Sequence, residues 1–253
     1  MQTDAASKFI LTKHFLHLPE HPSITCCKCT FNLDAYNDFL YQVFNVHQPN
    51  SIQKAVKKRK GEFLAGRYMA QEVLSEYGFY ENQVAIGKHR SPLWPSKLIG
   101  SITHNNNTAI CAVSEKDNIS ALGIDIESCL NPKTIDKIKY SIIDRKEEEL
   151  LANSPINLEE AFTIAFSIKE SLFKALYPYV NEYFEFSAAR IIDIDTTKNK
   201  LRLQLQQQLS HIFKSGASIE GNYLLERKLG KTNIFTYVVL PVPLTIFAEN
   251  IRS

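Results

Sequence analysis

The stretch ALGIDIES, residues 121–128, governs how the rest of the chain is read. It has the apolar character of a buried strand, yet it carries Asp125 and Glu127. Side chains two apart on a strand share one face, so the two carboxylates project together while Ile124 and Ile126 turn the other way. Carboxylates held side by side repel unless positive charge sits near them. Oxygen donors of this kind suit magnesium, calcium or manganese. The competing reading is a strand end breaking into a solvated turn, where acids are scattered at no cost. The stretch alone leaves both open.

Working outward, TAICAVS (108–114), the turn EKDN and ISALGIDIE (119–127) predict a β-hairpin, with Thr103 and His104 just before its first strand. Upstream, Ser51 is expected to cap one helix through residues 52–77 that stops at Gly78. Gly61 is the point where that helix would break. GKHRSPLWPSKLIG (87–100), with two prolines and the single tryptophan, reads as an irregular loop. Residues 1–50 read as strands and loops. Downstream, Asp144 with Glu147 marks a short helix, and Asn157 with Glu160 opens a longer one ending at Pro178. The tail alternates the strand-like runs RIIDIDT, LRLQLQ and FTYVVLPV with polar turns. The expected class is α+β with antiparallel pairing.

The chain has 253 residues, 44% hydrophobic and 22% charged, with a formal net charge of +2. That length supports one large or two small domains with a sizeable core. Charge near neutral argues against a nucleic-acid-binding module, which is usually strongly basic, even though KKRK (57–60) is a local basic run. No run of about 18 apolar residues suggests a membrane span, and the first twenty residues do not read as a secretory leader. Five cysteines (Cys26, Cys27, Cys29, Cys111 and Cys129) are expected to be reduced thiols of a cytoplasmic protein. The CCKC cluster follows His14, His17 and His21, but its spacing matches no usual zinc pair, which favours small buried hydrophobes.

In FTIAFSIKESLFKAL (162–176), Phe162, Ala165, Leu172 and Leu176 form a core-facing stripe, and Lys169 falls in line with it. Glu170 and Lys174 are four apart and share a face. Arg59 and Arg67 are slightly over two turns apart and roughly share another. Arginine grips phosphate with paired hydrogen bonds. The basic run is otherwise a solvated face. Taken together, Asp125, Glu127 and Glu170 with separate Arg, Lys and His groups could hold one metal ion against a polyphosphate.

LGIDIE followed at a distance by FSIKESLFKAL resembles the signature pair of the Sfp-type 4′-phosphopantetheinyl transferases. EFLAGR (62–67), SPLWP (91–95) and GSITH (100–104) narrow the resemblance to the enterobactin synthase component D-like subgroup. It covers roughly residues 55–190. It implies two similar α+β halves related by a pseudo-twofold, about 1–120 and 121–253, with the active site in the cleft between them. The implied reaction is magnesium-dependent, manganese being the alternative. It moves the phosphopantetheine arm of coenzyme A to a serine of an apo carrier protein and releases adenosine 3′,5′-bisphosphate, for siderophore synthesis. It further implies a cytoplasmic monomer with no nucleic-acid or integral-membrane partner.

The resemblance sets Asp125, Glu127 and Glu170 on the metal, and Lys169 and Lys174 near the pyrophosphate. It sets Thr103 and His104 on the 3′-phosphate, Arg59 and Arg67 on the phosphates, and Lys88, His89 and Arg90 near the adenine and its ribose phosphate. Glu170 is the first choice of general base and Glu127 the second. Phe166 stands where many relatives carry tryptophan, and Trp94 is expected to be structural. The alternative activity is a metal-dependent phosphodiester hydrolase acting on a nucleotide-like substrate.

Overall fold

The computed structural model of the protein describes residues 2–80, 83–228 and 230–242. The chain divides into two compact units, Met1–Asn118 and Ile119–Ser253.

The first unit opens with helix α1 (Gln2–Phe9), followed by strands β1 (Ile10–Leu16) and β2 (Thr25–Phe31). Two single-turn helices, α2 (Leu40–Val43) and α3 (Asn50–Gln53), lead to the long α4 (Lys57–Glu76). A two-residue hairpin, β3 (Ala85–Ile86) and β4 (Pro92–Leu93), precedes β5 (Leu98–His104) and β6 (Thr108–Glu115). The main sheet has the antiparallel order β1-β2-β6-β5, with α4 laid across β6 and β2. Phe9, Phe31, Leu64, Met69 and Leu74 are fully buried in the core between them. Each such side chain contributes on the order of 1.5–3 kcal/mol relative to exposure.

The predicted single helix from Ser51 is instead two. Its first turn is α3, which contains Ser51 and follows Pro49 with no side-chain cap, and the break falls at residues 54–56, ahead of Gly61. Gly61 lies inside α4, where a Cβ would stand 2.5 Å from the Leu33 side chain. The glycine admits the segment before α2 rather than breaking the helix. α1 went unforeseen, since its core-facing side is only Ala5 and Phe9, too short a stripe to mark a helix. The cysteines expected as hydrophobes fill β2 and β6: Cys26, Cys27, Cys29 and Cys111 are free and buried. Burial pushes the thiol of Cys27 up to about 11 and that of Cys29 up to about 12.

The second unit begins with β7 (Ile119–Ser128) and continues with helices α5 (Pro132–Ile142), α6 (Arg145–Ala152) and α7 (Leu158–Val180). Strands β8 (Ala189–Asp195), β9 (Lys200–Leu205), β10 (Ser218–Lys228) and β11 (Lys231–Pro241) complete it. Its sheet has the antiparallel order β7-β11-β10-β9-β8. α7 lies on β7 and β11 over a core that includes Phe162, Leu172, Phe213 and Val238.

The capping box at Asp144 and Glu147 and the Asn157 cap are formed as their spacing predicts. Pro178 does not end α7. The helix runs on to Val180 and stops at Asn181, whose left-handed backbone (φ 57°) turns the chain out. The predicted β6–β7 hairpin is absent. β6 pairs with β2 and β5, whereas β7 pairs with β11 more than a hundred residues later. The turn between them is the boundary between the two units, and a short connection cannot by itself reveal a partner strand so distant in sequence.

Candidate active site

β7 presents alternate residues to α7. A Cβ on Gly123 would stand 1.9 Å from the backbone oxygen of Ser171 and 2.5 Å from the amide nitrogen of Ala175. Only glycine allows helix and strand backbones this close. The next residue on that face, Asp125, is 5% exposed and accepts a hydrogen bond from the Ser167 hydroxyl at 2.8 Å. Lys174 donates to Asp125 Oδ1 at 2.7 Å and to the Ile124 carbonyl at 3.0 Å. Ser167 and Ser171 both share short contacts with the buried Thr236 hydroxyl of β11, at 2.9 and 2.7 Å. Sequence reasoning missed Gly123, Ser167, Ser171 and Thr236. Two small hydroxyls four apart inside an apolar helix were the available signal, because a helix interior rarely spends them without partners.

Glu170 lies one helical turn before Lys174 and within electrostatic reach of Asp125. Burial pushes its carboxyl up, Lys174 works against this, and Asp125 adds to it. Glu127 shares the strand face of Asp125 and is half-buried. This donor set of hard carboxylate oxygens fits a divalent cation in kind. Among the described residues, however, no group of three His, Cys, Asp or Glu side chains is arranged to hold one. Lys174 supplies the positive charge at Asp125.

Lys169 has a different setting from the one implied. It is buried against Glu147, with Nζ 2.7 Å from Oε1. It also donates to the carbonyls of Ile142 at 2.8 Å and Phe186 at 3.3 Å. Its place in the apolar stripe therefore follows from a partner within its own unit, and in this arrangement none of its donors is left for a pyrophosphate.

In the first unit, a cavity of about 330 Å³ is lined by Arg59, Glu62, Arg67, Arg90 and His104, among others. Arg59 Nη1 donates to His104 Nε2 at 2.9 Å, and His104 Nδ1 lies 3.5 Å from Glu62 Oε2. Arg67 is 8% exposed, stacks over the Phe63 ring at 4.8 Å and has no hydrogen-bond partner at Nε. Burial pulls its guanidinium down to about 10. A buried cation with an open donor, facing a cavity, suits an anion. Glu62 was not foreseen at this site; burial pushes its carboxyl up against the pull of Lys58 and Arg59.

The loop between β3 and β4 brings Arg90 to the cavity with a left-handed backbone at His89 (φ 53°) and Arg90 (φ 66°). Such conformations cost on the order of 1–3 kcal/mol each and cluster at functional loops. Lys88 and His89 are exposed on that loop and do not line the cavity. Nor does Thr103, which alternates to the opposite face of β5 from His104 and is buried. The basic run is spent largely on local ties: Lys57 to the Asp34 carbonyl, Lys58 to Glu62 and Lys60 to Asp38. Trp94 packs over Gly100, consistent with a structural part.

Two antiparallel α+β units, one with a carboxylate–ammonium cluster under a long helix and one with an arginine-lined cavity whose charge suits an anion, define a two-domain α+β protein. The profile of the 4′-phosphopantetheinyl transferase N-terminal domain matches residues 47–114, and that of the 4′-phosphopantetheinyl transferase superfamily matches residues 121–226. The chain belongs to the 4′-phosphopantetheinyl transferase superfamily.

Within it the similarity is to the enterobactin synthase component D subgroup. Enterobactin synthase component D of Escherichia coli is 44% identical over 124 residues, covering 49% of this chain and 58% of that protein. The protein of the same name from Salmonella typhi is 38% identical over 152 residues, covering 60% and 62%. The 4′-phosphopantetheinyl transferase Npt of Nocardia iowensis is 32% identical over 144 residues, covering 55% and 62%. The chain thus spans about three fifths of the length of these relatives. None of these matches supports the phosphodiester hydrolase reading. Among the described residues, no helix is long and apolar enough to cross a membrane.

Proposed function

We propose that the protein transfers the 4′-phosphopantetheine arm of coenzyme A to a serine of an apo carrier protein, releasing adenosine 3′,5′-bisphosphate. The carrier belongs to a siderophore-making peptide synthetase of the enterobactin type, and the protein acts as a cytoplasmic monomer. The observation that carries this reading is the contact of Lys174 with Asp125 beside the half-buried carboxyl of Glu170. It joins the two signature segments, 122–127 and 166–176, in one cluster.

Asp125 and Glu170, with Glu127 from the same strand face, would hold the magnesium ion, manganese being the alternative. When bound, it neutralises charge on the pyrophosphate. The serine oxygen attacks the phosphorus next to pantetheine, and the bond from that phosphorus to the bridging oxygen breaks. The bridging oxygen leaves with the electron pair on the adenosine bisphosphate. Glu170 takes the hydroxyl proton. It is the first candidate for that role and Glu127 the second. Lys174 donates to the leaving phosphate. Arg59, Arg67, Arg90 and His104 grip the nucleotide phosphates, with Lys88 and His89 at the adenine edge and Thr103 assigned with His104 to the 3′-phosphate.

Incubation with coenzyme A, magnesium and an apo carrier protein, followed by mass spectrometry, tests the reading. The carrier should gain one phosphopantetheine. Coenzyme A cleavage without a labelled carrier would reinstate the hydrolase, and loss of neither substrate would defeat both.

A further inference from the structure

Lys169 stands beside Glu170 in the signature helix, yet every donor it owns is spent inside its own unit. An ammonium offers three hydrogens. Here they face Glu147 Oε1, the Ile142 carbonyl and the Phe186 carbonyl. Glu147 is equally committed. Oε1 also accepts from the Ile191 amide at 2.8 Å, and Oε2 accepts from the Asp144 amide at 2.9 Å. Both side chains are 2% exposed. A buried charge persists only when paired and fully hydrogen-bonded, and this pair meets both conditions. Burial pulls the Lys169 ammonium down while Glu147 holds it up.

The pair joins the end of α5, the start of α6 and the first residues of β8 to one point on α7. A separate set of bonds, from Ser167, Ser171 and Lys174, ties another side of the same helix to β7 and β11. Successive helical residues point about 100° apart. The tether at Lys169 therefore fixes the rotation of α7 and, with it, the direction of Glu170.

We propose that Lys169 and Glu147 form a positioning clamp that aims Glu170 at the reacting centre, and that Lys169 makes no contact with the pyrophosphate. This rests on the transferase reading above. Glu147 becomes a positioning residue for the reaction although it lies in a helix outside both signature segments.

The test compares the intact protein with Lys169→Met, Glu147→Gln and the double variant Lys169→Met/Glu147→Leu. Measured are kcat, KM for coenzyme A, the dissociation constant for coenzyme A by calorimetry without carrier, and the melting temperature. Failure of the unaltered protein to label carrier would sink the transferase reading itself, separately from the clamp. With that activity in hand, each single variant should lose at least tenfold in kcat while coenzyme A affinity stays within threefold. The double variant should be no worse than the poorer single, because both act through one contact.

If a single variant does not fold, the double variant, which leaves no unpaired charge, carries the test. It should fold, bind coenzyme A normally and lose kcat. A tenfold loss of coenzyme A affinity in Lys169→Met with a normal Glu147→Gln would overturn the proposal and make Lys169 a phosphate contact. Normal kcat in the folded double variant would overturn it as well.

Discussion

Lys174 and Asp125 meet at 2.7 Å, and Lys174 also holds the Ile124 carbonyl, so one ammonium pins the C-terminal part of α7 to the strand that carries the candidate site acids. Lys174→Met leaves Asp125 buried with Ser167 as its remaining hydrogen-bond donor of this pair of contacts. Loss of a bond to a buried charge costs about 1–3 kcal/mol. Urea denaturation should show that loss. Carrier labelling should fall by about 10²–10³-fold, the size expected for a donor aimed at developing charge. An unchanged rate would remove Lys174 from the proposed chemistry.

Gly123 is required by distance. Gly123→Ala would drive a methyl against the Ser171 carbonyl, 1.9 Å away in a helix that cannot yield locally. Overpacking of this kind costs about 1–3 kcal/mol and more when backbone must move. The variant should melt several degrees lower, and calorimetry should register it before any substrate is added.

Arg67 predicts a trade of stability against binding. Its guanidinium is desolvated with an open Nε. Arg67→Met should leave the melting temperature unchanged or higher, since it removes an incompletely paired buried cation. Affinity for adenosine 3′,5′-bisphosphate should fall by about 10–100-fold, the worth of a charge-assisted bond. Isothermal calorimetry reads the second effect. Undiminished affinity would take Arg67 out of the ligand site.

Acid should loosen the second unit. The Arg227 hydrogen bond holds the Glu160 carboxyl below its usual 4.5, against burial and with help from Thr232. At Asp144 burial works the other way, but the Glu147 amide and Arg190 prevail and the carboxyl stays below 3.8. A depressed carboxylate contributes stability above its unfolded pKa, and that contribution disappears as pH falls through the folded value. Denaturation midpoints should therefore drop below about pH 4.5, and Glu160→Gln should lower stability at pH 7 more than at pH 3. Equal losses at both would contradict the assignment.

Much of the site was legible in residue order. Alternation put Asp125 and Glu127 on one strand face, and the caps at Asp144 and Asn157 announced α6 and α7 through side chains that satisfy backbone groups three residues away. Helical spacing set Arg59 and Arg67 on the one face that lines the cavity. These relations span at most a few turns, and local geometry alone enforces them.

Other features depended on distant partners. Glu62 and His104 meet across more than forty residues, and Lys169 finds its charge partner in α6. The apparent β6–β7 hairpin failed because the partners of each strand lie inside its own unit. Residue order by itself determined the class of the fold, the family and which faces carry the acids and bases. Tertiary structure alone decided which charge meets which, because a buried ion pair forms only where packing brings both members out of water together, and packing is a property of the folded unit rather than of any single segment.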